Sequence, residues 1–393
     1  MERALVIADD LTGAAELAAF VATTERPARV TWPPFVHESW CAPAAGAPSL
    51  VIDTESRNLT AAAARDRLAP IVRDLPREWL SGIVYKKIDS TLRGPIREEI
   101  TLLHDLAGLG PVVAAPAYPR MGRTTRGGVQ YLQGVAVADG PAGADPVAAA
   151  RESNVARLLP PGDAIVLGPP AGREVRDLAS EVACHRSAGR HVVVDAEREV
   201  DLERLAEALR SLPPGLVMAT GGLARHLWPR AEFVTAQGAA GRIVVIVGSH
   251  HPAAREQAVD LQRVHACRRV DAARHENSIG HRDEVLVLTT PDHRIAPGAA
   301  LRDLDDAMKE VIALGTPSAV VVTGGESALH VLKRVGATSL DVMGELVDGV
   351  PIGLVVGGPW AGTILATKAG GFGGPDILAR AVGRLRAGAT ASP

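Results

Sequence analysis

The chain has 393 residues, of which 47% are hydrophobic and 22% are charged. This balance is typical of a globular protein with a sizeable core and excludes wholesale disorder, and at roughly 100–200 residues per domain it predicts two or three domains. The 42 basic and 45 acidic residues leave a net charge of -3. The chain therefore has no overall positive electrostatic potential that would attract nucleic acid or an anionic membrane. We therefore expect neither as a partner.

The first residues and the cysteines together indicate a cytoplasmic protein. Asp9 and Asp10 interrupt the apolar run near the start of the chain, so this run is too short and too acidic for a signal peptide. No uncharged apolar run reaches the roughly 18 residues that a membrane-spanning helix needs. The cysteines at positions 41, 184 and 267 are far apart and form no CxxC pair, which is typical of a reducing compartment and predicts no zinc cluster.

Short runs rich in Val, Ile, Leu and Ala recur along the chain, each followed by a turn and then a helical pattern. Such continuous runs are typical of parallel strands that are buried on both faces of a sheet. Helical spacing of apolar residues lies between them, for example at 200–212 and 301–314. This alternation predicts an α/β fold. The predicted strands are residues 4–8, 49–52, 82–85, 112–115, 164–167, 191–194, 216–219, 242–247, 284–288 and 319–322.

Two clusters of chain-breaking residues lie near the middle of the chain, at 213–215 and 237–241. The second cluster precedes residues 242–247, whose continuous apolar run predicts the first strand of a new sheet. We place a domain boundary there, which divides the chain into domains 1–237 and 238–393. We expect two Rossmann-like α/β domains, each with a mostly parallel sheet flanked by helices.

Two adjacent carboxylates, Asp9 and Asp10, follow the first predicted strand and precede a helix. In open α/β sheets, ligands bind beyond the carboxyl ends of the strands. Two carboxylates at such a place can orient a hydroxyl group and take its proton. The simpler alternative is that Asp10 or Thr12 only caps the helix.

A second polar segment, residues 86–94 (KKIDSTLRG), directly follows the strand predicted at 82–85. Its arginine offers a fork of guanidinium donors that suits a carboxylate or a phosphate. The alternative is a helix cap at Asp89 or Ser90, with the lysines on a solvated edge. The candidate site residues of this segment are Lys87, Asp89, Ser90 and Arg93.

A third segment, residues 115–128, follows the strand predicted at 112–115 and contains three arginines, two threonines and three glycines. A glycine-rich backbone combined with cations is what an anion site needs. Arg123 and Thr124 are its candidate ligands. The alternative is a mobile surface loop.

Three glycine-rich turns mark the second half of the chain, at 247–252, 322–327 and 368–376. Backbone N–H groups at a strand-to-helix turn can cradle phosphates, although such a turn is also an ordinary connection in α/β folds. The chain has no GxxxxGK[ST] motif and no complete GxGxxG motif, so we expect neither an ordinary P-loop nor a standard dinucleotide site. The candidate residues are Ser249, Gly324, Gly325, Glu326, Ser327 and Gly370.

Taken in order, these segments resemble the four-carbon acid sugar kinase family, and the resemblance spans nearly the whole chain. The pair ADDLTGA and KKIDSTLRG is more specific than any single glycine turn. The motifs that carry the resemblance are ADDLTGA (8–14), KKIDSTLRG (86–94), APAYPRMGRTT (115–125), VGSHHP (247–252), TGGES (323–327) and KAGGFGGPD (368–376).

The resemblance implies that an N-terminal domain binds a sugar acid and a C-terminal domain binds a nucleotide, with the active site in the cleft between them. It implies ATP-dependent phosphorylation of threonate, erythronate or 3-oxo-tetronate. In such enzymes the nucleotide contacts come from turns that match Ser249, residues 324–327 and Gly370. The expected partners are the sugar acid and ATP with Mg²⁺, the metal ligands are unknown, and a homo-oligomer is left open.

Roles for the remaining residues follow from combining the resemblance with the chemistry. We expect Asp10 to act as the base, with Asp9 as second choice. Arg93 or Arg123 is the candidate cation for the sugar carboxylate. Lys86 or Lys87 is the candidate cation for the transferring phosphoryl group.

Three departures from the family pattern lie in the nucleotide half. His250 and His251 replace the usual residues of the first turn, Ala328 and Leu329 follow TGGES, and the last cluster differs at positions 369 and 371. These departures keep open one alternative function, a non-catalytic sugar-acid sensor with a degraded nucleotide site. A second alternative is a Rossmann-like oxidoreductase, against which the missing GxGxxG motif argues. Consumption of ATP that depends on a sugar acid excludes the first, and a nicotinamide absorbance assay separates the second.

Overall fold

The computed structural model describes residues 4–23, 25–35, 49–228, 234, 239, 241–249, 251–274, 284–290 and 299–390. The strands are β1 Leu5–Ala8, β2 Ala28–Thr31, β3 Ser49–Asp53, β4 Val84–Lys87, β5 Val113–Ala115, β6 Arg123–Arg126, β7 Val129–Leu132, β8 Val135–Ala136, β9 Ala164–Leu167, β10 His191–Val194, β11 Leu216–Ala219, β12 Ile243–Val247, β13 Arg268–Asp271, β14 Val285–Thr289, β15 Ala319–Thr323, β16 Ser339–Val347, β17 Val350–Val356 and β18 Ile364–Lys368.

Helices alternate with most of these strands, as the apolar periodicity predicts. They are α1 Leu11–Val21, α2 Ala61–Asp74, α3 Ile96–Ala107, α4 Val175–Ser187, α5 Glu199–Arg210, α6 Gly221–Leu227, α7 Pro252–Val264, α8 Ala299–Ala313, α9 Gly325–Arg334 and α10 Ile377–Thr390. Within the described ranges, no helix is long and apolar enough to cross a membrane.

The chain divides into two compact units, and the division is not consecutive in sequence. The first unit consists of Met1–Val21 and Trp32–Arg230, and the second of Ala22–Thr31 and Ala231–Pro393. The boundary predicted between 237 and 238 falls on residues outside the described ranges. No sequence pattern predicted that the short stretch containing β2 belongs with the second unit.

The first unit is built on a parallel sheet with the strand order β3-β1-β4-β11-β5-β10-β9. Every residue of β1, β3 and β4 is buried, because helices cover both faces of a parallel sheet. The core includes Leu5 and Ile7 of β1, Leu50 and Ile52 of β3, and Leu68 of α2. Strands β6, β7 and β8 form a separate small antiparallel sheet.

The second unit has the strand order β13-β14-β12-β15-β18-β17-β16-β2. Its strands are parallel from β13 to β18 and antiparallel from β17 to β2. Arg29 of β2 forms a bidentate ion pair with Asp341 of β16, with both N–O distances 2.8 Å, which fixes β2 to this sheet. The prediction of an α/β fold with mostly parallel sheets is confirmed.

Parallel topology decides where the turns of each unit gather. Strands β3, β1 and β4 are neighbours, so the polar segments that follow them meet at one edge of the first sheet. Strands β12, β15 and β18 are likewise neighbours, so the three glycine-rich turns meet at one edge of the second sheet. Ligands bind at such edges in open α/β sheets.

Candidate substrate and nucleotide sites

Arg57, in the turn after β3, is the centre of the polar cluster in the first unit. Its Nε and Nη2 atoms donate to the two carboxylate oxygens of Asp9, each at 2.8 Å. Nη2 also donates to Asp10 Oδ1 at 2.7 Å, and Nη1 lies 3.9 Å from Asp89 Oδ1. One guanidinium group therefore links three carboxylates from the ends of β1 and β4.

A buried polar network holds the turn that carries Arg57. The backbone N–H groups of Ser56 and Arg57 donate to the Asp9 carbonyl at 3.1 and 3.2 Å. The Ser56 hydroxyl donates to Glu99 Oε1 of α3 at 2.5 Å, and Glu99 Oε2 lies 3.1 Å from Lys86 Nζ. None of the sequence motifs pointed to Arg57, although ligands bind beyond the carboxyl ends of strands and residues 54–58 directly follow such a strand.

Asp10 combines the two roles that the sequence left open. Its carboxylate accepts hydrogen bonds from Gly13 N at 3.0 Å and from the Thr12 hydroxyl at 2.5 Å, so it caps the first turn of α1. A Cβ atom on Gly13 would lie 2.6 Å from Lys87 Nζ and 2.7 Å from Asp10 Oδ1. The glycine therefore leaves room for the Lys87 ammonium group beside the Asp10 carboxylate.

The pKa of the Asp10 carboxyl is lower than its ordinary value. Burial raises this pKa, but the charges of Arg57 and Lys87 and the hydrogen bonds from Thr12 and Gly13 outweigh the effect of burial. Asp10 is therefore ionised at neutral pH. Such a carboxylate orients a hydroxyl donor well, although a low pKa makes it a weak base.

Asp53, the last residue of β3, is fully buried, and its Oδ2 has no hydrogen-bond partner among the described residues. Its other oxygen accepts a hydrogen bond from Glu55 N at 2.9 Å. Burial raises the pKa of Asp53 well above its usual range, and the negative charges of Asp10, Glu55 and Asp9 raise it further. Asp53 thus keeps its proton to a higher pH than an ordinary aspartate.

The two lysines of β4 point to opposite faces of the sheet, as successive strand residues must. Lys86 is fully buried and pairs with Glu99, whereas Lys87 lies beside Gly13 and Asp10. The structure therefore brings Lys87 to the predicted site and places Lys86 behind it. The sequence alone did not distinguish the two.

Asp89 and Arg93 form a bidentate pair, with Arg93 Nε 3.0 Å from Asp89 Oδ2 and Nη2 2.9 Å from Oδ1. Arg93 Nη1 also donates to Asp145 Oδ2 at 3.1 Å. Burial raises the pKa of Asp89, but Arg57 and Arg93 hold it well below its usual range. Two carboxylates thus already occupy the guanidinium fork that was predicted to hold the substrate.

Ser90 follows Asp89 in the chain and Thr124 follows Arg123, and both have other contacts. The Ser90 carbonyl accepts a hydrogen bond from Gln130 Nε2 at 3.0 Å. Thr124 pairs with Tyr131 across β6 and β7. A role in ligand binding stays a prediction for both residues.

Arg123, at the start of β6, retains an available donor. Its Nη1 donates to the Met121 carbonyl, while its buried Nε has no hydrogen-bond partner in the described part of the chain. Burial lowers the pKa of Arg123, the charge of Asp89 opposes that effect, and the charge of Arg93 adds to it. An unpaired buried guanidinium donor favours an anionic ligand.

The predicted nucleotide residues of the second unit come together at the ends of β12, β15 and β18. Gly370 lies so close to Ser249 that a Cβ atom would overlap the serine hydroxyl, and Gly248 packs equally closely on Ser327. Gly324 has a φ of 92°, which favours glycine, and its N–H donates to the Lys368 carbonyl at 2.8 Å.

Two further candidates, Gly325 and Glu326, lie in the first turn of α9. Helix N-termini present free N–H groups and a positive dipole end, which suit phosphate. His251 caps α7 through its Nδ1, which accepts a hydrogen bond from Ala253 N at 3.2 Å, and His250 lies outside the described residues. No group of three or more His, Cys, Asp or Glu among the residues described could hold a metal ion.

Comparison with known proteins shows the family. A sugar-binding N-terminal domain family matches residues 4–227, and a nucleotide-binding C-terminal domain family matches residues 298–378. A D-threonate kinase of Bordetella bronchiseptica is 33% identical over 97% of this chain and 97% of that protein. The chain belongs to the four-carbon acid sugar kinase family. The predicted function, a four-carbon acid sugar kinase, is thereby confirmed.

Other members of the four-carbon acid sugar kinase family match over similar lengths. A 3-oxo-tetronate kinase of Burkholderia multivorans is 27% identical over 96% of both chains. A solved structure from Salmonella typhimurium, described as a putative tRNA synthase, has a TM-score of 0.78 and 23% identity over 97% of this chain and 98% of that one. This likeness shows that the fold is shared.

Proposed function

We propose that this kinase transfers the γ-phosphoryl group of ATP to a hydroxyl group of a four-carbon sugar acid, with D-threonate as the first candidate. The first unit binds the acid and the second binds the nucleotide. The observation that carries the proposal is the cluster of Asp10, Lys87 and Arg57 at the ends of β1, β4 and β3. The choice of D-threonate rests on relatives of that name at 33%, 30% and 27% identity.

Asp10 orients the acceptor hydroxyl in this proposal. Its carboxylate is ionised and lies beside the Lys87 ammonium group, so it can accept the hydrogen bond of an alcohol. Phosphoryl transfer passes through a loose transition state that needs positioning and charge neutralisation more than a strong base. The low pKa of Asp10 is therefore no obstacle. Lys87 neutralises charge on the transferring group.

Arg123 binds the sugar carboxylate in this proposal. Two arginines were candidates, and Arg93 already pairs with Asp89 and Asp145. Arg123 has a buried Nε without a hydrogen-bond partner among the described residues. A carboxylate ligand would satisfy this donor with a charge-assisted hydrogen bond.

The glycine-rich turns of the second unit suit the phosphates of a nucleoside triphosphate. Gly324, Gly325 and Gly370 present backbone without Cβ atoms at neighbouring strand ends, and Ser249 and Ser327 add hydroxyl groups. Mg²⁺ is usually bound through substrate phosphates and only one or two carboxylates, so a dedicated cluster of protein ligands is not required. When bound, it supplies charge neutralisation on the phosphates.

We also propose a cytoplasmic homo-oligomer. The cytoplasm supplies ATP, and a solved Bordetella bronchiseptica structure that is 33% identical and has a TM-score of 0.50 is described as a domain-swapped dimer with bound citrate. Light scattering on the purified chain measures the oligomeric state, and a monomer at working concentrations would contradict this part.

The decisive experiment is a coupled ADP-release assay with the purified full chain, ATP and MgCl₂. The panel contains the stereoisomers of threonate and erythronate together with 3-oxo-tetronate, and the control omits the acid. We expect ADP release with a matching phosphate ester in the ³¹P NMR spectrum. Acid binding without ADP release would indicate a sensor, and a nicotinamide absorbance change without ADP would indicate an oxidoreductase.

A further inference from the structure

Lys368 ends β18 and is the most deeply buried cation near the nucleotide turns, with 1% of its surface exposed. Its ammonium group donates to three carbonyl oxygens of the turn that follows: Ala369 at 2.7 Å, Phe372 at 2.9 Å and Gly370 at 3.1 Å. An ammonium group has three donors. All three are therefore used on the backbone of a single turn.

Gln257 of α7 completes this arrangement. Its Nε2 donates to the carbonyls of Phe372 and Gly373, both at 3.0 Å. Lys368 and Gln257 together thus bind the carbonyl groups of positions 369, 370, 372 and 373. These four carbonyls all point towards the two side chains.

Because the peptide group is planar, the directions of these carbonyls fix the directions of the N–H groups that follow them. In a trans peptide the carbonyl of one residue and the N–H of the next point in opposite directions. The N–H groups at positions 370, 371, 373 and 374 therefore point away from Lys368 and Gln257. All four positions are glycines, so no side chain covers these donors from their own residue.

Residues of the first glycine-rich turn, 247–252, lie close to this turn. Gly370 packs against the hydroxyl of Ser249, and Gly371 lies next to the ring of His251 at the start of α7. The structure gives no hydrogen-bond partner for the N–H groups of Gly370 and Gly371 among the residues it describes. Outward N–H groups with a cation behind them form a binding surface for an anion.

We propose that Lys368 is a positioning residue for the nucleotide: it holds the carbonyls of residues 369, 370 and 372 inward and thereby aims the N–H groups of Gly370 and Gly371 at a phosphate. The inference rests on the proposed function, in which this turn binds ATP. The donors of Lys368 are used on backbone carbonyls, so its effect on the nucleotide passes through the turn and through its charge.

The hydrogen bonds of the Lys368 ammonium group to the turn depend on pH. Burial lowers the pKa of Lys368 to about 8, so the amine loses its charge at mildly alkaline pH. A neutral amine has two donors and a lone pair, and the lone pair would face one of the three carbonyls. The side chains that contact the turn from α7 are Gln257, which does not titrate, and His251.

The first test compares Lys368→Met with Lys333→Met, an exposed lysine of α9 in the same unit. Calorimetry measures the Kd of Mg·ATP and of D-threonate separately for each variant. We expect Lys368→Met to weaken ATP binding by about tenfold or more, the effect of losing one or two hydrogen bonds, with D-threonate affinity and kcat at saturating ATP much less changed. Lys333→Met should match the unmodified chain.

The second test needs no variant and decides the matter if Lys368→Met fails to fold. The Kd of Mg·ATP for the unmodified chain is measured from about pH 7 to pH 9.5, and we expect affinity to fall through the pKa of about 8. D-threonate affinity should stay flat. A flat ATP profile, or a folded Lys368→Met with normal ATP affinity, overturns the role of Lys368, whereas failure of the unmodified chain to bind ATP overturns the proposed function.

Discussion

Lys86 and Glu99 form an ion pair with 3.1 Å between Nζ and Oε2, and their side chains are 0% and 1% exposed. The pair joins β4 to α3 beneath the site. Burial raises the pKa of Glu99, and the charge of Lys86 opposes that effect. Because Glu99 also accepts the Ser56 hydroxyl, the pair supports the turn that presents Arg57.

Removing Lys86 should therefore reduce stability, whereas removing Lys87 should reduce activity. Lys86→Met leaves a buried carboxylate without its partner, which typically costs about 3–5 kcal/mol in the free energy of unfolding. Lys87→Met leaves Asp10 paired with Arg57, so its main effect should be on kcat. Urea unfolding and ADP-release assays on both variants measure the two effects.

The double variant Lys86→Met with Glu99→Leu is the control for this interpretation. Replacement of a whole buried ion pair by apolar residues is often neutral, so the double variant should recover much of the lost stability. An equal loss of kcat in Lys86→Met and Lys87→Met, without a difference in stability, would contradict the division of roles.

Asp10→Asn should lower kcat by about 10²-fold, because the amide keeps the shape of the side chain but loses the negative charge that orients the acceptor hydroxyl. Sugar-acid affinity should be largely retained. Since the pKa of Asp10 lies below its ordinary value, protonation of this group should not reduce kcat between neutral pH and about pH 5. A loss smaller than threefold would leave Asp10 as only the cap of α1.

Asp89→Asn should destabilise the protein in a pH-dependent way. A carboxyl whose pKa is depressed in the folded state contributes stability above its unfolded pKa of about 3.9, and this contribution is lost as the pH falls below that value. The pKa of Asp89 is depressed by Arg57 and Arg93 despite burial. The loss of unfolding free energy should thus be large near neutral pH and shrink in acid.

Urea unfolding across this pH range measures the effect for Asp89. The matched control is Asp66→Asn, at an exposed position of α2, which should change stability little at any pH. A destabilisation by Asp89→Asn that is the same at neutral and acid pH would show that the ion pairs with Arg57 and Arg93 do not contribute through charge.

Arg123→Met should raise KM for the sugar acid by about 10–100-fold, the effect of one charge-assisted hydrogen bond, with KM for ATP nearly unchanged. Arg93→Met should instead lower stability, because it leaves the buried Asp89 carboxylate without two of its hydrogen bonds. Steady-state kinetics and urea unfolding on both variants separate the roles. A larger increase in KM for the sugar acid in Arg93→Met than in Arg123→Met would indicate that Arg93 binds the sugar carboxylate instead.

Several features of this protein were predictable because they depend on local sequence. Continuous apolar runs such as residues 5–8 and 243–247 are buried as parallel strands, and polar turns follow them. The hairpin of β16 and β17 was not predicted, although Asp348 and Gly349 between two apolar runs are a typical hairpin signal. Gly349 indeed has a φ of 72°.

Only the tertiary structure decided which side chains meet. Arg57 reaches Asp9 and Asp10 because β3 lies next to β1 in the sheet, and strand order is not written in any local pattern. Packing also settles which face of β4 each lysine takes, since Lys87 lies beside Gly13 of α1 and Lys86 pairs with Glu99 of α3. The membership of Ala22–Thr31 in the second unit likewise depends on pairing with β16, more than 300 residues away. The sequence by itself determined the fold class, the family and the polar strand ends, because those depend on residues that are close together in the chain. Contacts between distant segments depend instead on how the strands and helices pack.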